Sequence, residues 1–240
     1  MQIELVTSPT LYDTRMLLSN HITIAIDILR ATSAICAAFS AGASEIVPLN
    51  STEMLDDFAR RGYIIAAERN GSKLKGAACG NSPTEYMSLD LTAQRLAYST
   101  TNGTVSILRA KDSDLLLVGA FANITSLSEA IVNKGCESLV LLCSGWKGDP
   151  SIEDTLFGGA LIQHLKDLGS KVKLINDSAL IALDLWNLAS FDLYGYCSKA
   201  THVHRLLSLG CDDDIRWSLQ QDTCQVVPVY DPNTQSLKLL

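Results

Sequence analysis

The sequence predicts an α/β fold, with a largely parallel or mixed sheet and helices on both of its faces. Three observations predict it. Short β-rich runs alternate with helical stretches over nearly the whole chain. The runs are apolar along their length, as in ITIAI and SLVLLC, which suits strands buried on both faces. Of 240 residues 47% are hydrophobic, enough for a sizeable core and too many for a disordered chain.

Taken in order, the strand runs fall at residues 2–6, 22–26, 45–49, 63–67, 95–99, 114–118, 138–143 and 225–230. Amphipathic or small-residue helices sit between most of them, at 32–41, 51–61, 126–134, 153–168, 179–189 and 202–209. Ser82-Pro83-Thr84-Glu85 opens a further helix, with Ser as N-cap, Pro at the first helical position and Glu three residues after the cap. Ser151-Ile152-Glu153-Asp154 puts two acids into a first turn, where the helix dipole favours them. Asp231-Pro232-Asn233, between VVPVY and SLKLL, reads as the turn of a closing β-hairpin. No repeat, low-complexity segment or linker marks a boundary. Fresh strand–helix units begin at Asp114, so the expected division lies near residues 105–112. It gives an N-terminal α/β unit over 1–110, carrying most site loops, and a C-terminal unit over 111–240; one compact domain is the alternative.

Composition excludes several functions. The 19 basic and 26 acidic side chains leave a net charge of −7 and a pI near 5.0. Gripping nucleic acid needs a surplus of Lys and Arg, so no nucleic-acid partner is expected. A small anion held by a few local cations stays open. The longest wholly apolar runs, such as 34–39, are too short to span a bilayer, so no membrane partner is expected either. The start, MQIELVTSPT, carries Glu4 early and lacks a basic segment before an apolar one; no targeting signal is read, and a cytoplasmic protein is expected. The seven Cys are odd in number, include no CxxC pair and lie mostly in apolar company, as reduced core thiols do. The apolar composition permits a homodimer.

Polar clusters follow the strands. After 22–26 comes Asp27-Ile28-Leu29-Arg30-Ala31-Thr32, and after 63–67 Glu68-Arg69-Asn70-Gly71, continuing to Gly80-Asn81-Ser82-Pro83. After 95–99 comes Thr100-Thr101-Asn102-Gly103-Thr104, and after 138–143 Ser144-Gly145-Trp146-Lys147-Gly148, then Glu153-Asp154. In an open parallel sheet the carboxyl ends of the strands share one edge, so distant clusters converge on one cleft. Asp27, Glu68, Glu153 and Asp154 offer hard oxygen ligands suited to Mg²⁺. Arg30 and Arg69 offer forked donors for phosphate, carboxylate or sulfonate. Thr32, Asn70, Asn81, Ser82, Thr101 and Asn102 add neutral donors, and Gly71, Gly80 and Gly103 let backbone N–H groups approach an anion. Together these describe a metal-assisted site for an anionic ester.

Each piece has a plainer reading. Asp27 and Arg30 would make an ordinary ion pair, Glu153 and Asp154 dipole partners only, Ser82 a helix cap and Asn102-Gly103 a turn. Lys73, Lys75 and Lys147 read as solvated. His202 and His204, two residues apart, share no helix face and read as surface or packing residues. Recurrence after strand upon strand is what outweighs these. Standard phosphate motifs fail on spacing: Gly71-Ser72-Lys73-Leu74-Lys75-Gly76 imitates a P-loop, but Ala77-Ala78 stand where Lys-Ser/Thr are required. No Cys has an Arg six residues on, Leu29 breaks an Asp-x-Asp pair, and G-x-S-x-G is absent. A metal-activated water becomes the default.

The segments IDILRATSAICAAFSAGASEIVPL, AERNGSKLKGAACGNSPTEY, TTNGT, LVGAFANITSLSEAI and CSGWKGDPSIEDTLFGGALI resemble, in order and spacing, the 2-phosphosulfolactate phosphatase family. The likeness runs from about Ile24 to Gly159 and continues weakly through LLSLGCDDDI to VVPVY. It implies an α/β, soluble, Mg²⁺-dependent enzyme that converts 2-phosphosulfolactate to sulfolactate, a step towards coenzyme M. By this resemblance Asp27, Arg30, Glu68, Asn70, Asn81, Thr101, Asn102, Glu153 and Asp154 occupy motif positions. Two departures stand out: Ser144-Gly145-Trp146 replaces Ala-Gly with a following Arg, with Lys147 as the candidate replacement cation, and Ala77-Ala78-Cys79 is smaller than the family's more aromatic loop.

The expectation is therefore a phosphomonoesterase for a small anionic phosphorylated acid. Asp27, Arg30 and Glu68 are the expected catalytic residues, and Asp27, Glu68, Glu153 and Asp154 the metal ligands. Thr32, Arg69, Asn70, Gly71, Asn81, Ser82, Thr101, Asn102 and Gly103 are the expected substrate contacts. Attack by metal-bound water and attack by a carboxylate both stay open. The rivals are a lyase or transferase acting on a small phosphorylated acid, and a non-catalytic anion-binding protein.

Overall fold

A computed structural model describes residues 1–12 and 21–240. Among them the strands are β1 (Gln2–Val6), β2 (His21–Ile26), β3 (Glu45–Pro48), β4 (Ile64–Arg69), β5 (Ser72–Lys73), β6 (Arg95–Ser99), β7 (Leu115–Gly119), β8 (Ser138–Cys143), β9 (Lys173–Leu174), β10 (Pro228–Asp231) and β11 (Ser236–Leu239). The helices are α1 (Pro9–Tyr12), α2 (Ala31–Ser40), α3 (Leu55–Arg60), α4 (Pro83–Met87), α5 (Gly103–Arg109), α6 (Ile124–Lys134), α7 (Ile152–Asp167), α8 (Asp177–Ala189), α9 (Leu193–Cys197), α10 (Thr201–Ser208) and α11 (Asp212–Ser218). The α/β class and the mixed sheet are as the sequence predicts. None of these helices is long and apolar enough to cross a membrane.

One sheet runs in the order β5-β4-β6-β3-β11-β10-β7-β2-β8-β1-β9. It contains two parallel blocks, β9-β1-β8-β2-β7 and β3-β6-β4. The β10–β11 hairpin lies between them, antiparallel to β7 on one side and to β3 on the other. It is the hairpin that Asp231-Pro232-Asn233 announces; Asp231 accepts from Asn233 N, Thr234 Oγ1 and Lys238 Nζ. Three successive antiparallel pairings, β7–β10, β10–β11 and β11–β3, leave the two blocks running opposite ways. The expected common edge is therefore corrected: in a flat sheet the carboxyl ends of β2 and β4 would lie at opposite edges.

Helix α2 brings them back together. All of its residues from Ala31 to Phe39 are buried, which a helix can sustain only if every face is apolar or small. ATSAICAAF meets that requirement. One core joins α2 residues Ala34, Ile35 and Phe39 to Ala25, Val118 and Leu142 of the first block and to Ile46, Ala66 and Tyr98 of the second. Both blocks thus pack onto α2, and the loop that starts it, 27–30, is shared ground. A second core lies between the first block and α6–α8, with Phe121 stacked edge-on to Phe157. A third places Phe58 and Leu55 of α3 against Ala67 and Ala97 of the second block.

The expected boundary at residues 105–112 marks no break in the sheet, since β1 and β2 pair with β7, β8 and β9, and β11 pairs with β3. Strand β4 runs two residues further than expected, so Glu68 and Arg69 are strand residues. They pair with Lys73 and Ser72 of β5 across Asn70-Gly71, whose φ angles of 56° and 81° are those of a tight hairpin turn. Ser82 caps α4 as predicted, accepting from Glu85 N at 3.1 Å. The reciprocal half is redirected: Glu85 Oε2 accepts from Gly80 N, and Oε1 from Lys73 Nζ at 2.7 Å.

Candidate active site

A cavity of about 230 Å³ opens at the N-terminus of α2. Its walls come from the loop after β2 (Asp27, Leu29, Arg30), the β4–β5 hairpin (Glu68, Asn70, Gly71), Asn81, the loop after β6 (Thr100, Thr101, Asn102), the loop after β8 (Trp146, Lys147) and α10 (His202, Arg205, Leu206). Convergence of the post-strand clusters, expected from sequence, is present here.

Asp27 is buried and its position is over-determined. Thr32 Oγ1 donates to Asp27 O at 2.9 Å and accepts from Asp27 N at 3.1 Å. The Thr32 hydroxyl is consumed in pinning this backbone and does not line the cavity, a correction to its expected substrate contact. Ala31 N reaches Asp27 Oδ1 at 3.3 Å. Asp154 ties the same loop to the next: its oxygens accept from Ile28 N at 2.8 Å and Gly145 N at 3.0 Å. Burial, then the negative charge of Asp154, push the Asp27 carboxyl well above the usual carboxylate range. Burial, then Glu153, raise Asp154 to about 7.

Arg30 is not the partner of Asp27. Its Nη1 donates to Asp214 Oδ2 at 2.6 Å and its Nη2 to Gly71 O at 2.7 Å. Asp214 is buried and also accepts from Ser82 Oγ and Thr84 Oγ1, each at 2.6 Å. Ser82 is therefore spent on its cap and on Asp214 and lies outside the cavity. Arg69 likewise turns away, with Nη1 on Glu68 O and Ser99 O and Nη2 on Ser99 Oγ at 2.9 Å. Gly103 serves packing: a Cβ there would collide with Ala31 and stand 2.7 Å from Asp27 Oδ2. Glu68 accepts from Gly71 N and from Thr101 Oγ1, the latter at 3.3 Å, so it holds two cavity loops as well as lining them. Tyr98 OH donates to Asn81 Oδ1, which leaves the Asn81 NH₂ as its unused group.

Glu153 lines an adjoining cavity with Ser151 and Ile152 rather than the main one. Its Oε1 is 2.9 Å from His202 Nδ1, and its buried Oε2 has no hydrogen-bond partner among the described residues. His202, read from sequence as a surface or packing residue, lies in the wall between the two cavities and stacks on Trp146 with centroids 5.3 Å apart. The missed signal was its spacing: His202, Arg205 and Leu206, at i, i+3 and i+4, share one face of α10.

Among the described residues no three His, Cys, Asp or Glu side chains are gathered into a metal cage. The donor chemistry nevertheless fits Mg²⁺, which uses one or two carboxylates and fills its other positions with water and phosphate oxygens. Asp27 and Glu68 present carboxylates on the cavity wall.

Sequence comparison decides what such a site belongs to. A family model described as 2-phosphosulpholactate phosphatase matches residues 7–233. The chain belongs to the 2-phosphosulfolactate phosphatase family. Its relatives include proteins named probable 2-phosphosulfolactate phosphatase from Thermotoga maritima, 34% identical over 85% of this chain and 87% of that one, and from Gloeothece citriformis, 33% identical over 86% and 87%. A third, from Microcystis aeruginosa, is 30% identical over 90% of this chain and 91% of that one. The 2-phosphosulfolactate phosphatases are hydrolases of phosphoric monoesters, and a cavity lined by both carboxylates and cations suits that reaction class.

Proposed function

We propose that this chain hydrolyses 2-phosphosulfolactate to sulfolactate and inorganic phosphate in a Mg²⁺-dependent reaction, the step leading towards coenzyme M. One observation supports the reading above others: a buried carboxylate, Asp27, lines a cavity that also carries cations, in a chain of this family. Asp27 and Glu68 would hold Mg²⁺, while Asp154 and Glu153 would act through their charge and the loops they tie. A bound Mg²⁺ polarises phosphoryl oxygens and lowers the pKa of water.

The chain's own residues supply the rest. Hydrolysis forms a bond from water oxygen to phosphorus and breaks the bond from phosphorus to the ester oxygen, so one proton leaves water and one reaches the departing alkoxide. Asp27, through the carboxylate oxygen that the metal leaves free, is the group to move it. The Asn81 NH₂, with its orientation set by Tyr98, and the side chains of Asn70, Thr101 and Asn102 orient the phosphoryl group.

A phosphate-release assay tests the reading, using phosphorylated carboxylic and sulfonic acids with and without Mg²⁺. The highest kcat/KM should fall on 2-phosphosulfolactate, with one phosphate released per substrate. Turnover should vanish after exhaustive chelation and return with Mg²⁺. Preference for another phosphorylated acid would remove the substrate, and full turnover in verified metal-free enzyme would remove the metal.

A further inference from the structure

The cavity contains four basic side chains, Arg30, Lys147, His202 and Arg205. Two already have acidic partners: Arg30 has Asp214, and His202 has Glu153. Arg69, the other arginine expected to meet an anion, is turned to Ser99 and lies outside the cavity. Lys147 and Arg205 are left. Neither side chain makes an ion pair with a carboxylate or a hydrogen bond among the described residues, and both are held by the same ring, Trp146, at 4.7 Å for Lys147 Nζ and 6.0 Å for Arg205 Cζ. The ring is itself held from the other element, by the stack with His202.

Arg205 is placed, not merely near. Its Nη atoms stand 3.1 and 3.2 Å from where a Cβ on Gly71 would be, so the glycine of the β4–β5 turn leaves room for the guanidinium. A half-buried guanidinium against an aromatic face, with no carboxylate to answer it, is arranged to receive an anion from outside the chain. The carboxylates Asp27 and Glu68 belong to other loops of the same cavity.

We infer that Lys147 and Arg205, carried on Trp146, form the subsite for the sulfonate of the proposed substrate, the anionic group it bears besides its phosphate and its carboxylate. The inference rests on the proposed reading for the identity of that group. Arg205 supplies planar paired donors to two of its oxygens, and Lys147 a point charge to the third. These two residues then set the preference for phosphorylated acids with a second strong anion over those without one.

The experiment compares two substrates that differ only there, 2-phosphosulfolactate and 2-phospholactate, across wild type, Arg205→Ala, Arg205→Lys and Lys147→Ala. Alongside, calorimetry measures binding of sulfolactate and of inorganic phosphate, which needs no turnover. Losing a charge-assisted bond should cost Arg205→Ala about 10- to 100-fold in kcat/KM on the sulfonated substrate. The cost on 2-phospholactate should be several-fold at most. Arg205→Lys should recover part of the loss, Lys147→Ala should show the same selectivity more weakly, and sulfolactate affinity should fall while phosphate affinity holds. Equal losses on both substrates, or unchanged sulfolactate binding in Arg205→Ala, would overturn the subsite while leaving the proposed activity standing. Arg205-dependent sulfolactate binding without hydrolysis of 2-phosphosulfolactate would do the reverse. Thermal melting of each variant separates a loosened Gly71 turn from a lost contact.

Discussion

Asp27 is where burial and charge meet most sharply. A carboxyl whose folded-state pKa lies above its unfolded one stabilises the fold while protonated, and that stability is lost as pH rises through the folded value. Asp154, at about 7, sets the window, and Asp27 is pushed the same way. The metal-free protein should therefore melt at lower temperature at pH 8 than at pH 6. Asp27→Asn should shrink that difference and raise the melting point at pH 8 while losing turnover; a variant that melts lower at pH 8 would contradict it. Mg²⁺ should raise the wild-type melting point at pH 8 and leave Asp27→Asn unmoved.

Arg30 belongs to the same scale, and there geometry redirects the expectation. Its fork bridges Asp214 and the Gly71 carbonyl, so Arg30→Lys keeps the charge but loses one of the two anchors. Removing one partner of a buried pair costs about 3–5 kcal/mol, so Arg30→Ala and Asp214→Ala should each lower the melting point strongly, with the double variant well short of the sum. A fall in kcat/KM with unchanged melting would return Arg30 to direct substrate contact. Asn102 is the contrast. It is half-buried, precedes α5 without a side-chain cap and lines the cavity. Asn102→Ala should shift stability by about 0.5 kcal/mol or less and act on kcat/KM.

At the scale of elements, α2 and α5 meet at their N-termini through Gly103. No positive φ demands glycine there; space does, because a Cβ would run into Ala31 and Asp27. Gly103→Ala should cost about 1–3 kcal/mol and impair activity together, since relief of the clash displaces Asp27. An active, fully stable Gly103→Ala would show that the two helices can part without moving the carboxylate. The element-level reading from sequence was accurate where a signal was local. Pro after a capping Ser started α4, and Asp-Pro-Asn closed β10–β11. Asn70-Gly71 was read only as a polar loop, although the pair is a two-residue hairpin signal; β5, with only two residues, was too short to register as a run.

Across the whole molecule the sequence determined the α/β class, the strand runs and the chemistry that follows each of them, because apolar periodicity and capping residues act over a few positions. Asp27, Glu68, Asn70, Gly71, Asn81, Thr101 and Asn102 were legible as cavity residues for the same reason: each cluster is a short motif at the end of a strand. Strand direction, side-chain partnership and the use of each cation were decided only in three dimensions. The β10–β11 hairpin reverses one parallel block against the other, and it takes α2, buried on every side, to bring their loops to one cavity. Arg30 and Arg69 looked free because their partners, Asp214 and Ser99, lie 184 and 30 residues away. The grouping of Lys147, His202 and Arg205 was not legible because what makes them a group is Trp146, and the ring reaches them through tertiary packing. A hydrogen bond between distant residues leaves no mark on the local pattern of either, so the sequence could name the chemistry and only the packing could assign it.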